Sequence, residues 1–244
     1  MFAAFAWGFG AAASLLLGGA VSLRFKISRK VLGLTMAFGA GVLFSAVAYD
    51  LVQEAFEVSN EGGLWVAIGL AAGAVTFYVG DLLIDRMGGA TRKSMKDGKE
   101  AGSPLAIVLG IILDGIPESI VIGLTLLGGA TIDLAVVIAV FMSNVPESIA
   151  ATTGLRTSGW ASSRIMGLWF LVALVSGAAS LVGLALFSGL SGAAVALVDA
   201  FAAGAILTML SDTMVPEAFE FGGKEAGLAT TLGFGLAFGL TVLP

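Results

Sequence analysis

Two short segments of the chain place carboxylates beside proline inside otherwise apolar sequence. LDGIPESIVIG carries Asp114 and Glu118 one turn apart on a single helical face, and SNVPESIA carries Asn144 and Glu147 at a three-residue spacing. The two segments align as x-x-x-P-E-S. Asp114 and Ser143 each lie about ten residues into a long apolar run, or ~15 Å at 1.5 Å per residue, which is the middle of a bilayer. An ionisable group at a helix centre costs ~2.5–3.5 kcal/mol even on the lenient insertion scale, so three carboxylates there must face a cavity, a partner or an ion. No Lys, Arg or His stands at that depth to neutralise them, which leaves bound cations or protons. Pro117 and Pro146 cannot donate to the carbonyls of Leu113 and Met142, so each helix gains a freed acceptor beside its glutamate. Carbonyl oxygens near carboxylates are suitable cation ligands.

These residues require membrane helices to hold them. The 244 residues are 58% hydrophobic and 12% charged, with a mean hydropathy of +1.02 and 35 glycines, so the solvent is lipid. Apolar stretches predict eight spans, at 2–23, 31–56, 64–86, 104–128, 133–155, 164–188, 193–217 and 226–243. The fold class is an all-α membrane protein in one transmembrane domain. The first span has no basic residue ahead of it, unlike a cleaved signal peptide. Cysteine and histidine are absent, which removes thiolate ligands, disulfides and the commonest general base. With no activated serine, no phosphate-cradling loop and no basic cluster beyond what topology needs, the chain reads as neither an enzyme, an ATP-driven pump nor a nucleic-acid binder.

All 12 Lys and Arg residues fall in the loops joining spans 1–2, 3–4, 5–6 and 7–8 or at the span ends beside them. The positive-inside rule makes that side cytoplasmic and puts both termini outside, in what we expect to be a prokaryotic plasma (inner) membrane.

FGAGVLFSAVAYDLVQEAFE (38–57) aligns without a gap to FAAGAILTMLSDTMVPEAFE (201–220). Spans 2 and 7 cross in opposite directions, so the repeat is inverted, a recurring transporter architecture with its site near the midplane. The expected organisation is 3+2+3: residues 1–86 as the first three-helix repeat, 87–103 as a cytoplasmic loop, 104–155 as the site helices 4 and 5, and 162–244 as the inverted repeat.

The paired P-E motifs, together with YDLVQEA in span 2, FYVGDLLIDR in span 3 and DTMVPEA in span 7, resemble the Zrt/Irt-like (ZIP) divalent metal transporters over essentially the whole chain. The resemblance implies a metal site on helices 4 and 5 in a transport pathway, with homodimers common. It puts Glu118 and Glu147 on the family's bridging glutamates, Asp114 where a histidine is usual, Gly115 where an asparagine follows it, and Asn144 where relatives often have aspartate. A further acid of helix 6 would fall near Ser176.

The candidate metal ligands are therefore Asp114, Glu118, Asn144 and Glu147, with Ser143, Met142 and Ser176 as additional candidates. An oxygen-only set suits manganese, magnesium or iron better than a histidine site would, and zinc stays in the set because carboxylates bind it. Asp50 and Glu54 at the outer end of span 2, and Asp212 and Glu217 at the inner end of span 7, are candidate entrance and exit acids, although acidic helix ends in water look the same. The expected function is inward movement of a divalent cation. The alternative is a non-transporting relative that senses metal or protons through an altered site.

Overall fold

The computed structural model describes residues 1–59, 63–89, 104–126, 132, 134–190 and 192–242. Most of the expected cytoplasmic loop, and Asp133, lie outside the described residues. The described residues form eight long helices: α1 (Phe2–Arg24), α2 (Arg29–Val58), α3 (Leu64–Met87), α4 (Pro104–Leu124), α5 (Leu134–Thr157), α6 (Ser162–Phe187), α7 (Gly192–Gly222) and α8 (Glu225–Val242). Seven of them are long and apolar enough to cross a membrane. The remaining one, α4, has 21 residues, enough for a hydrocarbon core of ~30 Å, and carries Asp114 and Glu118. The chain is an integral membrane protein of all-α class.

Helix ends follow local chemistry. The Ser28 hydroxyl accepts the Val31 N–H at 3.2 Å, an N-cap that starts α2 two residues before the expected boundary. At the far end of α7, Gly223 turns the chain at φ 67°, six residues beyond the expected end of the span.

Both α2 and α7 run longer than a regular span and contain a stretch of π-helix, Ala46–Gln53 and Leu210–Met214. The two stretches overlap when the repeat is aligned. Pro216 follows the stretch in α7, but Gln53 holds the equivalent place in α2, so the proline is not what creates it.

The packing has an internal pseudo-symmetry. Exchanging α1 with α6, α2 with α7, α3 with α8 and α4 with α5 interchanges the two large interfaces α3–α7 and α2–α8. It also interchanges α1–α5 with α4–α6 and maps α1–α6 onto itself. Individual atoms obey the exchange. A Cβ added at Gly41 would collide with the carbonyl oxygen of Thr230 in α8, and one at Gly204 with that of Leu70 in α3. Likewise Gly233 stands against the Phe38 carbonyl and Gly73 against the Phe201 carbonyl. The repeated F-x-A-G is thus a docking surface: its glycine admits a neighbouring backbone, and its phenylalanine carbonyl receives the neighbour's glycine.

Helices α2 and α5 are the most buried, while α3 and α8 are the least. Val75, Leu83, Leu171, Leu186, Leu228 and Leu232 face outward, an apolar coat suited to lipid.

Candidate metal site

Pro117 and Pro146 sit within continuous helix, so α4 and α5 each pass the middle of the bundle with one backbone acceptor released. On α5 the released carbonyl is that of Met142, which lies against α2. A Cβ built on Gly39 would stand 3.3 Å from it.

Asp114, Glu118, Ser143 and Asn144 are all 5% exposed or less, while Glu147 is half-buried. The Ser143 hydroxyl donates across the helix pair to Glu118 Oε1 at 3.3 Å and also lies 3.0 Å from the Val140 carbonyl, so one proton is shared between two acceptors. On α4 the Ser119 hydroxyl donates to the Gly115 carbonyl at 2.6 Å.

Glu118, Glu147, Asn144 and Ser176 converge on one cavity of about 20 Å³ closed by α1, α4, α5 and α6. That volume holds roughly one water-sized species. Gly115 and Ser119 add polar backbone and hydroxyl to the wall, and Leu15, Ile122 and Trp169 supply its apolar part. Among the described residues, no basic side chain lines it. The donor set is two carboxylates with neutral oxygens, chemistry for a hard or borderline cation.

The remaining candidates stand elsewhere. Asp114 is buried one turn from Glu118 but is not among the residues lining the cavity, and neither are Ser143 and Met142. Among the described residues, no three Asp or Glu side chains stand close enough to hold one ion together. Of the entrance and exit acids, Asp50 is buried and its Oδ1 accepts the Thr241 hydroxyl of α8 at 3.2 Å. Glu54 and Asp212 are exposed, and Glu217 is half-buried.

Asp199 of α7, a residue the sequence left without a role, stands near Glu54. It is buried within reach of the Glu54 charge, on the seam where Ala55 of α2 packs with Ala196 and Ala200. Asp199 has no acidic counterpart in the aligned repeat, so neither spacing nor motif marks it.

No family model matches the chain. It is similar to Zinc transporter GufA from Myxococcus xanthus, with 31% identity over 254 residues, covering 96% of this chain and 98% of that protein. The chain belongs to the ZIP family. Without histidine or cysteine the chain relies mainly on oxygen donors for a cation, and the polar side chains described around the cavity between α4, α5 and α6, those of Glu118, Glu147, Asn144, Ser119 and Ser176, offer oxygen. In this ZIP chain Ser176 reaches the same cavity as the glutamates, the position where the resemblance expected a helix-6 contribution.

Proposed function

We propose that this ZIP protein is a secondary transporter that moves a divalent cation across the membrane into the cytoplasm through the carboxylate site of α4 and α5. The observation that carries the reading is the convergence of Glu118 and Glu147 with Asn144 and Ser176 on one buried cavity that, among the described residues, has no positive side chain. Two carboxylates in a dry cavity repel one another, and a dication removes that repulsion while its lost hydration is replaced by oxygen ligands. That the relative is a zinc transporter supports zinc as cargo, and the all-oxygen set supports manganese and iron alongside it.

Asp114, one turn from Glu118, is the reserve carboxylate of the site, and Asp50, Glu54, Asp212 and Glu217 mark the two approaches. Spans 1–3 and 6–8 frame the site as an inverted pair. The charge bias of the loops supports an orientation with the basic face in the cytoplasm, and inward movement is part of the proposal.

The test is metal flux into proteoliposomes for Glu118→Gln and Glu147→Gln, measured with zinc, manganese and iron. Both variants keep shape and remove charge. We expect flux to fall to background in each while the purified protein stays monodisperse. Wild-type flux in both would overturn the assignment, and saturable binding with no flux in the wild type would favour a sensor.

A further inference from the structure

A second polar cavity, of about 310 Å³, opens far from the metal site at the junction of the α1 C-terminus, the α1–α2 turn and the last turns of α5. Lys26 and Arg156 flank it, Ser22, Thr153 and Thr157 form a hydroxyl wall, and Phe25 lies at its margin. No acid lines it.

The wall is fixed. The Ser22 hydroxyl lies 3.1 Å from that of Thr153, which in turn donates to the Ile149 carbonyl at 2.9 Å, and Thr157 donates to the Thr153 carbonyl at 2.8 Å. With those protons turned to backbone, donors into the cavity come from the two cations. Both are exposed and form no ion pair among the described residues. Phe25 is 61% exposed next to them, an apolar ring beside positive charge at the helix ends where headgroups meet hydrocarbon. The volume is many times the roughly 30 Å³ share of one water, which admits a phosphate group with its ester substituent.

We propose that this cavity binds a phosphate-bearing anion, held between the Lys26 ammonium and the Arg156 guanidinium. Two sources carry that chemistry, the headgroup of an anionic phospholipid and free phosphate. Guanidinium and ammonium near a membrane surface each contribute appreciably to anionic-lipid binding, so removing both weakens it on the order of 30-fold.

The experiment uses the full chain in detergent, with Lys26→Ala/Arg156→Ala as the variant and Lys224→Ala, a basic residue in another loop, as the control. Native mass spectrometry counts retained phosphatidylglycerol against phosphatidylcholine. Thermal melts with sodium phosphate against sodium chloride at equal ionic strength test the free anion.

Selective retention of phosphatidylglycerol by the wild type and Lys224→Ala, lost in the double variant, identifies a lipid headgroup. A phosphate-specific rise in melting temperature that the double variant alone lacks identifies the free anion. Either result supports the site. Equal behaviour of the double variant and the wild type in both arms overturns it, and so does an equal loss in Lys224→Ala, which would mean diffuse attraction to a basic face.

Discussion

The seams between the repeats and the helix pair at the site obey the same pseudo-symmetry to different depths. In the seams it reaches single atoms: Gly41 meets the Thr230 carbonyl as Gly204 meets that of Leu70. In the pair α4 and α5 it reaches only the short run P-E-S-I, residues 117–120 and 146–149. Where α4 has Asp114 and Gly115, α5 has Ser143 and Asn144. Ser143 donates to Glu118, and Asp114, its aligned counterpart, is a carboxylate that can only accept when ionised. Close packing of backbone on backbone tolerates no side-chain variation, so the halves match there. Ion coordination needs a mixture of charge and neutral donors, which one repeated sequence cannot supply.

The largest effect expected is from breaking the seams. Gly41→Leu and Gly204→Leu each drive a side chain into a neighbouring carbonyl, and overpacking of this kind costs at least about 1–3 kcal/mol even where some relief is available. Both variants should yield little monodisperse protein by size-exclusion chromatography. Symmetry predicts comparable losses, so a well-folded Gly204→Leu beside a collapsed Gly41→Leu would show the equivalence to be superficial.

A smaller and more selective effect comes from evening out the site helices. Asp114→Ser gives α4 the residue α5 carries. If Asp114 serves as reserve ligand, flux should fall about tenfold, the effect of losing about 1.4 kcal/mol of binding. Adding Ser143→Asp returns the carboxylate on the opposite helix and should recover part of the flux. Unchanged flux in Asp114→Ser would confine the site to the two glutamates that line the cavity.

Much of this was legible in the residue order. The spans followed from apolar length, and F-x-A-G with E-A-F-E marked α2 and α7, whose glycines pack equivalently. The two P-E motifs led to Glu118 and Glu147, which share the cavity with Asn144 and Ser176. What could not be read has a common cause, because helical spacing says which residues share a face but not what lies across from it. Asp114 and Glu118 are one turn apart, yet only Glu118 lines the cavity. The π stretches in α2 and α7 shift the helical phase without a change in composition, and Asp199 is buried in a seam that no motif marks.

Ser143 offers a finer probe of the asymmetry. Ser143→Ala removes the donor from α5 to Glu118 while leaving every carboxylate in place. A hydrogen bond to a charged group contributes about 1.5–3 kcal/mol, and sharing the proton with the Val140 carbonyl lowers that. Thermal unfolding should show a destabilisation of about 1 kcal/mol, with flux reduced less than in Asp114→Ser. A loss of flux as complete as in Glu118→Gln would instead make Ser143 a ligand in its own right.

The smallest effect is expected where spacing alone misleads. Gly69 with Gly73 and Gly235 with Gly239 both have the small-x-x-x-small interval, and the first pair does pack, against the backbone of Leu197 and Phe201. The second pair has open space at both positions, and the glycine of α8 that meets α2 is Gly233. Gly235→Ala and Gly239→Ala should therefore leave the stability read from thermal melts within the about ±0.5 kcal/mol typical of surface changes, or raise it slightly through helix propensity. Gly233→Ala, two residues away, should lower it sharply, because the new methyl meets the Phe38 carbonyl. An equal response at the three positions would mean that α8 is held by lipid and not by the seam, and the symmetry with Gly73 and Phe201 would lose its mechanical meaning.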